Sequence, residues 1–151
     1  MITPKHIPVM LNQSIDAMKI LPNGTYIDAT FGFGGHSKKI LDSLDDDGRL
    51  YAIDKDTYAI NMIREDIVSD KRFTLKHGCF SELENFSREW GIHGSINGIL
   101  FDLGVSSHHL DEADRGFSFN KNGPIDMRFD QSSGISACLL YTSDAADDTP
   151  C

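Results

Sequence analysis

Short apolar runs alternate with helical stripes along this chain. Tyr26-Ile27, Leu50-Tyr51-Ala52-Ile53, Phe73-Thr74-Leu75 and the segment from Ile96 to Phe101 read as strands, each bounded by turn residues. Between them, Ile40, Leu41 and Leu44, then Ala59, Met62, Ile63 and Ile67, then Leu83, Phe86 and Trp90 recur at helical spacing. Ile15, Met18 and Leu21 make a further stripe before Pro22-Asn23-Gly24. Ser81-Glu82-Leu83-Glu84 has the S-x-x-E spacing of a capping box at the start of the third helix. Strand centres fall about every 24 residues with a helix in each interval, which predicts repeated βαβ units and a parallel sheet.

That order fixes where chemistry can be placed. The first strand ends in Asp28 and breaks into Gly32, Gly34 and Gly35 before a helical pattern. Glycines there let the backbone approach a ligand beside unpaired helix N–H groups. The spacing, acid-x-G-x-G-x-G with Thr30 in place of the first glycine, resembles motif I of S-adenosylmethionine-dependent methyltransferases with a Rossmann-like fold. Asp54 ends the second strand, about 20 residues after Gly34, where an acid accepts hydrogen bonds from ribose hydroxyls. Phe80 follows the third strand, either as an adenine contact or as a core ring. Asp102 ends the fourth. Right-handed crossovers bring Gly34, Asp54, Phe80 and Asp102 to one sheet edge, so a cofactor crevice is expected there.

Composition narrows the class. The chain has 151 residues, a length suited to one core. A net charge of −9 argues against gripping nucleic acid through bulk charge, while leaving room for a local basic site. Cys79, Cys138 and Cys151 are odd in number and far apart, fitting neither a disulfide framework nor a thiolate metal site, so free thiols and no metal are expected. No window approaches the ~20 apolar residues of a membrane span, and no leader pattern opens the chain; a cytoplasmic protein is expected.

From Leu103 to Asp130 no helical or strand period runs through the sequence, yet Phe117, Phe119, Ile125, Met127 and Phe129 are too apolar for a disordered linker. A long irregular stretch after a strand ending in an acid is where substrate loops are built. Its motifs, Asp102-Leu-Gly-Val-Ser-Ser107, Leu110-Asp111, Arg115-Gly-Phe-Ser-Phe119 and Gly123-Pro-Ile-Asp-Met-Arg128, stand in order after His6-x-Pro8-Val9 and Asp28-Ala-Thr-Phe-Gly-Phe-Gly-Gly-His-Ser37. Together they resemble the RsmH (MraW) family of bacterial 16S rRNA cytosine-N4 methyltransferases, over residues 5–137. The resemblance implies a class I methyltransferase core interrupted by a helical insertion after the fourth strand. It further implies S-adenosylmethionine as methyl donor and a cytidine of the decoding region of 16S rRNA, in the small ribosomal subunit, as substrate.

Carried over position by position, the resemblance implies that Gly34, Gly35 and His36 hold the methionine and ribose part of the donor, Asp54 the ribose and Phe80 the adenine. Asp102 and His109 complete the pocket, with His109 standing where the family often has Gln. His108 is expected to face solvent, and His6 is either structural or a site contact. Cytosine N4 is a weak nucleophile because its lone pair is conjugated into the ring, so Asp102 is the expected acceptor that orients the amine or takes its proton. Arg115 and Arg128 are candidate phosphate contacts, with Phe117 or Phe119 a stacking surface for an unstacked base. The acid-or-serine, Pro-Pro, aromatic motif of DNA cytosine-N4 enzymes is replaced here by Asp102-Leu103-Gly104-Val105.

The expected organisation is a donor-binding half-domain over 1–109, a substrate-loop segment and the start of the insertion over 110–137, and a tail over 138–151 that departs from the family's pattern and reads as artefactual. The chain is therefore expected to be a family fragment. A donor-binding domain without turnover is the non-enzymatic alternative. A nicotinamide-dependent oxidoreductase is the rival enzyme, disfavoured by the lack of G-x-G-x-x-G.

Overall fold

A computed structural model of the chain describes residues 8–147; His6 and Cys151 lie outside the described residues. The chain divides after Leu103 into two compact units.

The first unit is built on four parallel strands, β1 (Thr25–Asp28), β2 (Arg49–Asp54), β3 (Phe73–His77) and β4 (Gly98–Leu100), in the order β3-β2-β1-β4. Chain reversal between β3 and β4 carries the connection across β2 and β1, so β1 sits inside the sheet and ends beside β4. Alternation along the strands sorts the two faces. Tyr26, Leu50 and Ala52 point to one side, where they meet Ile15 of α1 (Leu11–Met18), Ile40 and Leu41 of α2 (Gly35–Leu41) and Ile67. Ile27 and Ile53 point to the other and pack with Phe86 and Ile92. Both faces of β1 and β2 are covered, which is why these strands read as continuous apolar runs.

Three local features differ from the sequence expectation. The stripe from Ala59 to Ile67 is two short helices, α3 (Thr57–Asn61) and α4 (Glu65–Val68), with Arg64 extended between them. The break turns Met62 to solvent while Ile63 and Ile67 stay on the core. The capping box expected at Ser81 does not form. A 3₁₀ turn over Phe80–Glu82 leads into α5 (Leu83–Glu89), which has no side-chain cap, and Glu84 instead accepts from Arg88 Nη2 at 2.7 Å. Leu21 and Leu44 also lie past the ends of the helices whose stripes they seemed to continue.

The second unit contains more regular structure than its sequence suggests: α6 (Ser107–Asp111), a 3₁₀ turn over Ala113–Arg115 and α7 (Ala137–Asp147). A capping box does open α6, but its N3 residue is His109 rather than an acid. Ser106 N–H donates to His109 Nδ1 at 3.0 Å, and the Ser106 side chain caps the His109 amide. The S-x-x-H spelling hid that signal. His109, 4% exposed, packs against Phe117 and Phe129 with ring centroids 5.1 and 4.7 Å away. The 120s segment is laced into this unit by Met127 N–H to Arg115 O (3.0 Å), Ala137 N–H to Asp126 O (2.8 Å) and Cys138 N–H to Ile125 O (2.9 Å).

Candidate functional site

The carboxyl ends of the four strands gather most of the expected residues of the first unit. Asp28, at the end of β1, is fully buried. Its Oδ2 accepts from Ser37 Oγ at 2.7 Å and its Oδ1 from Thr30 N–H at 3.2 Å, so one carboxylate ties the turn and the start of α2 to the strand. Burial pushes this carboxyl up to about 6, against the lowering effect of both hydrogen bonds and with a further push from Asp54 and Asp102.

Asp54 fixes the turn from the side of β2. Its Oδ2 accepts from Gly32 N–H at 2.6 Å, and its Oδ1 from Asp56 N–H at 2.8 Å. Phe31 N–H adds a bond to Ile53 O at 3.0 Å, so the turn is held to β2 by backbone and side chain together.

The glycines divide their work. Gly34 has φ 75°, and a Cβ there would stand 2.8 Å from the Phe31 ring and 2.9 Å from Ile67 Cδ1. A Cβ on Gly35 would stand 2.3 Å from Pro8 Cγ, so the space beside Gly35 belongs to Pro8. Packing therefore demands both glycines. The space beside Gly32 is open, with no heavy atom within 4 Å of where a Cβ would stand, while its N–H is held by Asp54.

His36 lies beneath this turn, 5% exposed. Its Nδ1 is 3.8 Å from Asp102 Oδ2, while its buried Nε2 has no hydrogen-bond partner. Burial holds the imidazole below the ordinary histidine range, the Asp102 carboxylate opposing, so the contact is a polar approach by a neutral ring and not an ion pair. A buried, unpartnered ring nitrogen is costly, and a polar ligand group that reached it would relieve that cost.

Asp102 stands two residues past β4 with its side chain 51% exposed. Its N–H donates to Thr30 Oγ1 at 2.7 Å. Phe80 is 43% exposed and meets the Phe101 ring edge-on at 5.8 Å, so it is neither a core ring nor a free one. Cys79, just before it, has its thiol lowered by hydrogen bonding with Ser81. A groove lined by Leu83, Ser87, His93, Ile96 and Ile99 runs along α5 and β4 and contains none of the expected residues.

The second unit holds the other five, among them His109, whose ring packs against Phe117 and Phe129. Arg115 is 6% exposed, and its Nη2 donates to the carbonyls of Phe129 (2.9 Å) and Arg128 (3.3 Å). Arg128 makes a two-pronged pair with Asp126, Nε to Oδ1 at 2.9 Å and Nη2 to Oδ2 at 2.8 Å, which holds the Asp126 carboxyl down at about 2. Phe117 is half-buried beside His109, and Phe119 is fully exposed. His108 is half-buried. Sequence analysis marked Asp28 as the acid of the glycine motif and Thr30 as its departure, but gave neither of them the role of anchoring the turn.

Among the described residues no helix is long and apolar enough to cross a membrane, no group of three or more His, Cys, Asp or Glu side chains could hold a metal ion, and Cys79 and Cys138 are free thiols. A family model described as the MraW methylase family matches residues 3–146, which takes in the first part of the stretch expected to be a tail. Among solved structures, a candidate rRNA methylase from Clostridium thermocellum is similar at 23% identity and a TM-score of 0.47, over 54% of this chain and 48% of that one. The chain thus spans about half the length of that protein.

Proposed function

Because this chain belongs to the MraW methylase family, we propose that it binds S-adenosylmethionine at the sheet edge and serves methyl transfer to N4 of a cytidine in the decoding region of 16S rRNA. The observation that carries the reading is the meeting of the open turn at Gly32, the Asp54 carboxylate and the buried His36 Nε2 at the ends of β1 and β2.

The residues fit the donor. Asp54 ends β2 with its carboxylate at the turn, where ribose hydroxyls would be recognised, Phe80 offers the ring surface not met by Phe101 to an adenine, and His36 offers an unpartnered nitrogen. The bound donor supplies an activated methyl group on a sulfonium. Asp102 would accept a hydrogen bond from the cytosine amine, hold it in line with the donor's methyl, and take up the amine proton as the methyl leaves sulfur for nitrogen and the sulfonium becomes a neutral thioether. No covalent nucleophile is needed, and Cys79 is given no part. In the second unit, Phe119 supplies a fully exposed ring on which an unstacked base can lie, while the Arg128 guanidinium is held by Asp126 and by the carbonyls of Ser133 and Gly134 and acts on RNA through its charge. Arg115 shapes that unit through its carbonyl contacts.

The test is isothermal titration of S-adenosylhomocysteine into the chain, with Asp54→Ala as control, followed by incubation with unmodified small subunits and the labelled donor. Saturable binding lost in the control, with label on cytidine N4, is the expected result. Binding with no transfer would favour the donor-binding domain without turnover, and binding of NAD in place of the nucleoside would overturn the methyltransferase reading.

A further inference from the structure

The parallel ladder between β1 and β4 stops short of Asp102. Its last main-chain rung is Ala29 N–H to Leu100 O, at 2.9 Å. In a ladder continued at that register, Asp102 N–H would donate to the Ala29 carbonyl. The Thr30 hydroxyl takes its place, accepting from Asp102 N–H at 2.7 Å across 72 residues of sequence. Thr30 is itself anchored, through its own N–H, to the buried Asp28 carboxylate at 3.2 Å.

Asp102 is half exposed and lies two residues beyond the strand. Yet its carboxylate is 3.8 Å from His36 Nδ1, beneath the same turn. A single side-chain hydrogen bond therefore joins the turn after β1 to the segment after β4. A glycine at this position, as the general motif would have it, could not make that bond.

We propose that Thr30 is a positioning residue whose hydroxyl latches Asp102 beside His36 and thereby sets the carboxylate for the donor and the acceptor amine. The inference rests on the reading of this sheet edge as a donor site. It gives the departure from the glycine pattern a physical reason: the hydroxyl replaces a ladder rung where the chain leaves the sheet.

The experiment compares the full chain with Thr30→Val, which keeps the shape and removes the acceptor, and Thr30→Ser, which keeps the acceptor. Amide hydrogen exchange at Asp102 is read by NMR, and affinity for S-adenosylhomocysteine by titration. Loss of one hydrogen bond corresponds to about a three- to tenfold change. Thr30→Val should speed exchange at Asp102 by about that factor, leave the amides of β1 protected and weaken the nucleoside by a similar factor; Thr30→Ser should restore both. Exchange at Asp102 that is equally fast in wild type and Thr30→Val overturns the latch, as does a freed amide with unchanged affinity. A protected Asp102 amide in a wild-type chain that binds no nucleoside leaves the latch standing and overturns the donor reading.

Discussion

Replacing Asp28 by Asn should stabilise the first unit at neutral pH, because the wild-type carboxylate is ionised there in a fully buried place. Both of its hydrogen bonds survive the change: the Asn Oδ1 accepts from Thr30 N–H, and its amide donates to a Ser37 hydroxyl that has rotated. What disappears is the charge. A carboxyl moved from 3.8 to about 6 has about 3 kcal/mol between its protonation states, at about 1.4 kcal/mol per pH unit. The folded pKa lies above the unfolded one, so the folded chain binds more protons between pH 3.8 and about 6. Stability from this group is full below pH 3.8 and is lost as pH rises through about 6. His36 works in the opposite direction over the neighbouring range, since its lowered pKa costs stability as pH falls below the ordinary histidine value. That contribution is common to both proteins and cancels in their difference. Urea unfolding from pH 4 to pH 8 should show Asp28→Asn more stable than wild type by up to about 3 kcal/mol at pH 7 to 8, with the gap closing near pH 4. A variant less stable than wild type at pH 7, or a gap that does not vary with pH, would refute the claim that burial dominates this carboxylate.

Other outcomes follow from the same geometry. Gly34→Ala would place a Cβ 2.8 Å from the Phe31 ring at φ 75°, and should cost about 2–4 kcal/mol in thermal or urea unfolding. Phe80→Ala should weaken S-adenosylhomocysteine about tenfold by titration while lowering stability little, since the ring is 43% exposed and touches chiefly Phe101. Asp126→Asn should loosen the hold on Arg128 and lower the stability of the second unit in full above pH 3.8, and by progressively less as pH falls toward about 2 and the wild-type carboxyl protonates; unfolding curves should show a larger loss at pH 7 than at pH 3. Phe119→Ala, a fully exposed site, should leave the unfolding midpoint unchanged and reduce binding of a single-stranded rRNA fragment by about 1–3 kcal/mol.

The sheet and its edge were legible in the chain because they depend on periodicity and local chemistry. Apolar runs of strand length at regular intervals predict parallel order, and acids placed after each run arrive at one edge whatever the details of packing. That reasoning located β1 to β4 to within a few residues and brought Gly34, Asp54, Phe80 and Asp102 to the same strand ends. Where a pattern could be met in two ways, tertiary packing chose. The break between α3 and α4 spares Met62 from the core, and the 3₁₀ turn at Phe80 displaces a capping box that the letters spelled. The reverse happened at Ser106, where an unfamiliar residue, His109, completes a real box.

By itself, then, the sequence determined the class of fold, the strand ends where the candidate site lies and the family motifs, since each follows from residue type and spacing within a few turns of chain. Only the tertiary structure decided which polar atoms meet. It buried Asp28 far enough to raise its pKa, gave both Asp54 oxygens an amide, left His36 Nε2 without a partner and brought Thr30 within 2.7 Å of an amide 72 residues away. Hydrogen bonds and desolvation depend on distances of a few ångströms between segments remote in sequence, and those distances are set only when the sheet closes its order and the core fills.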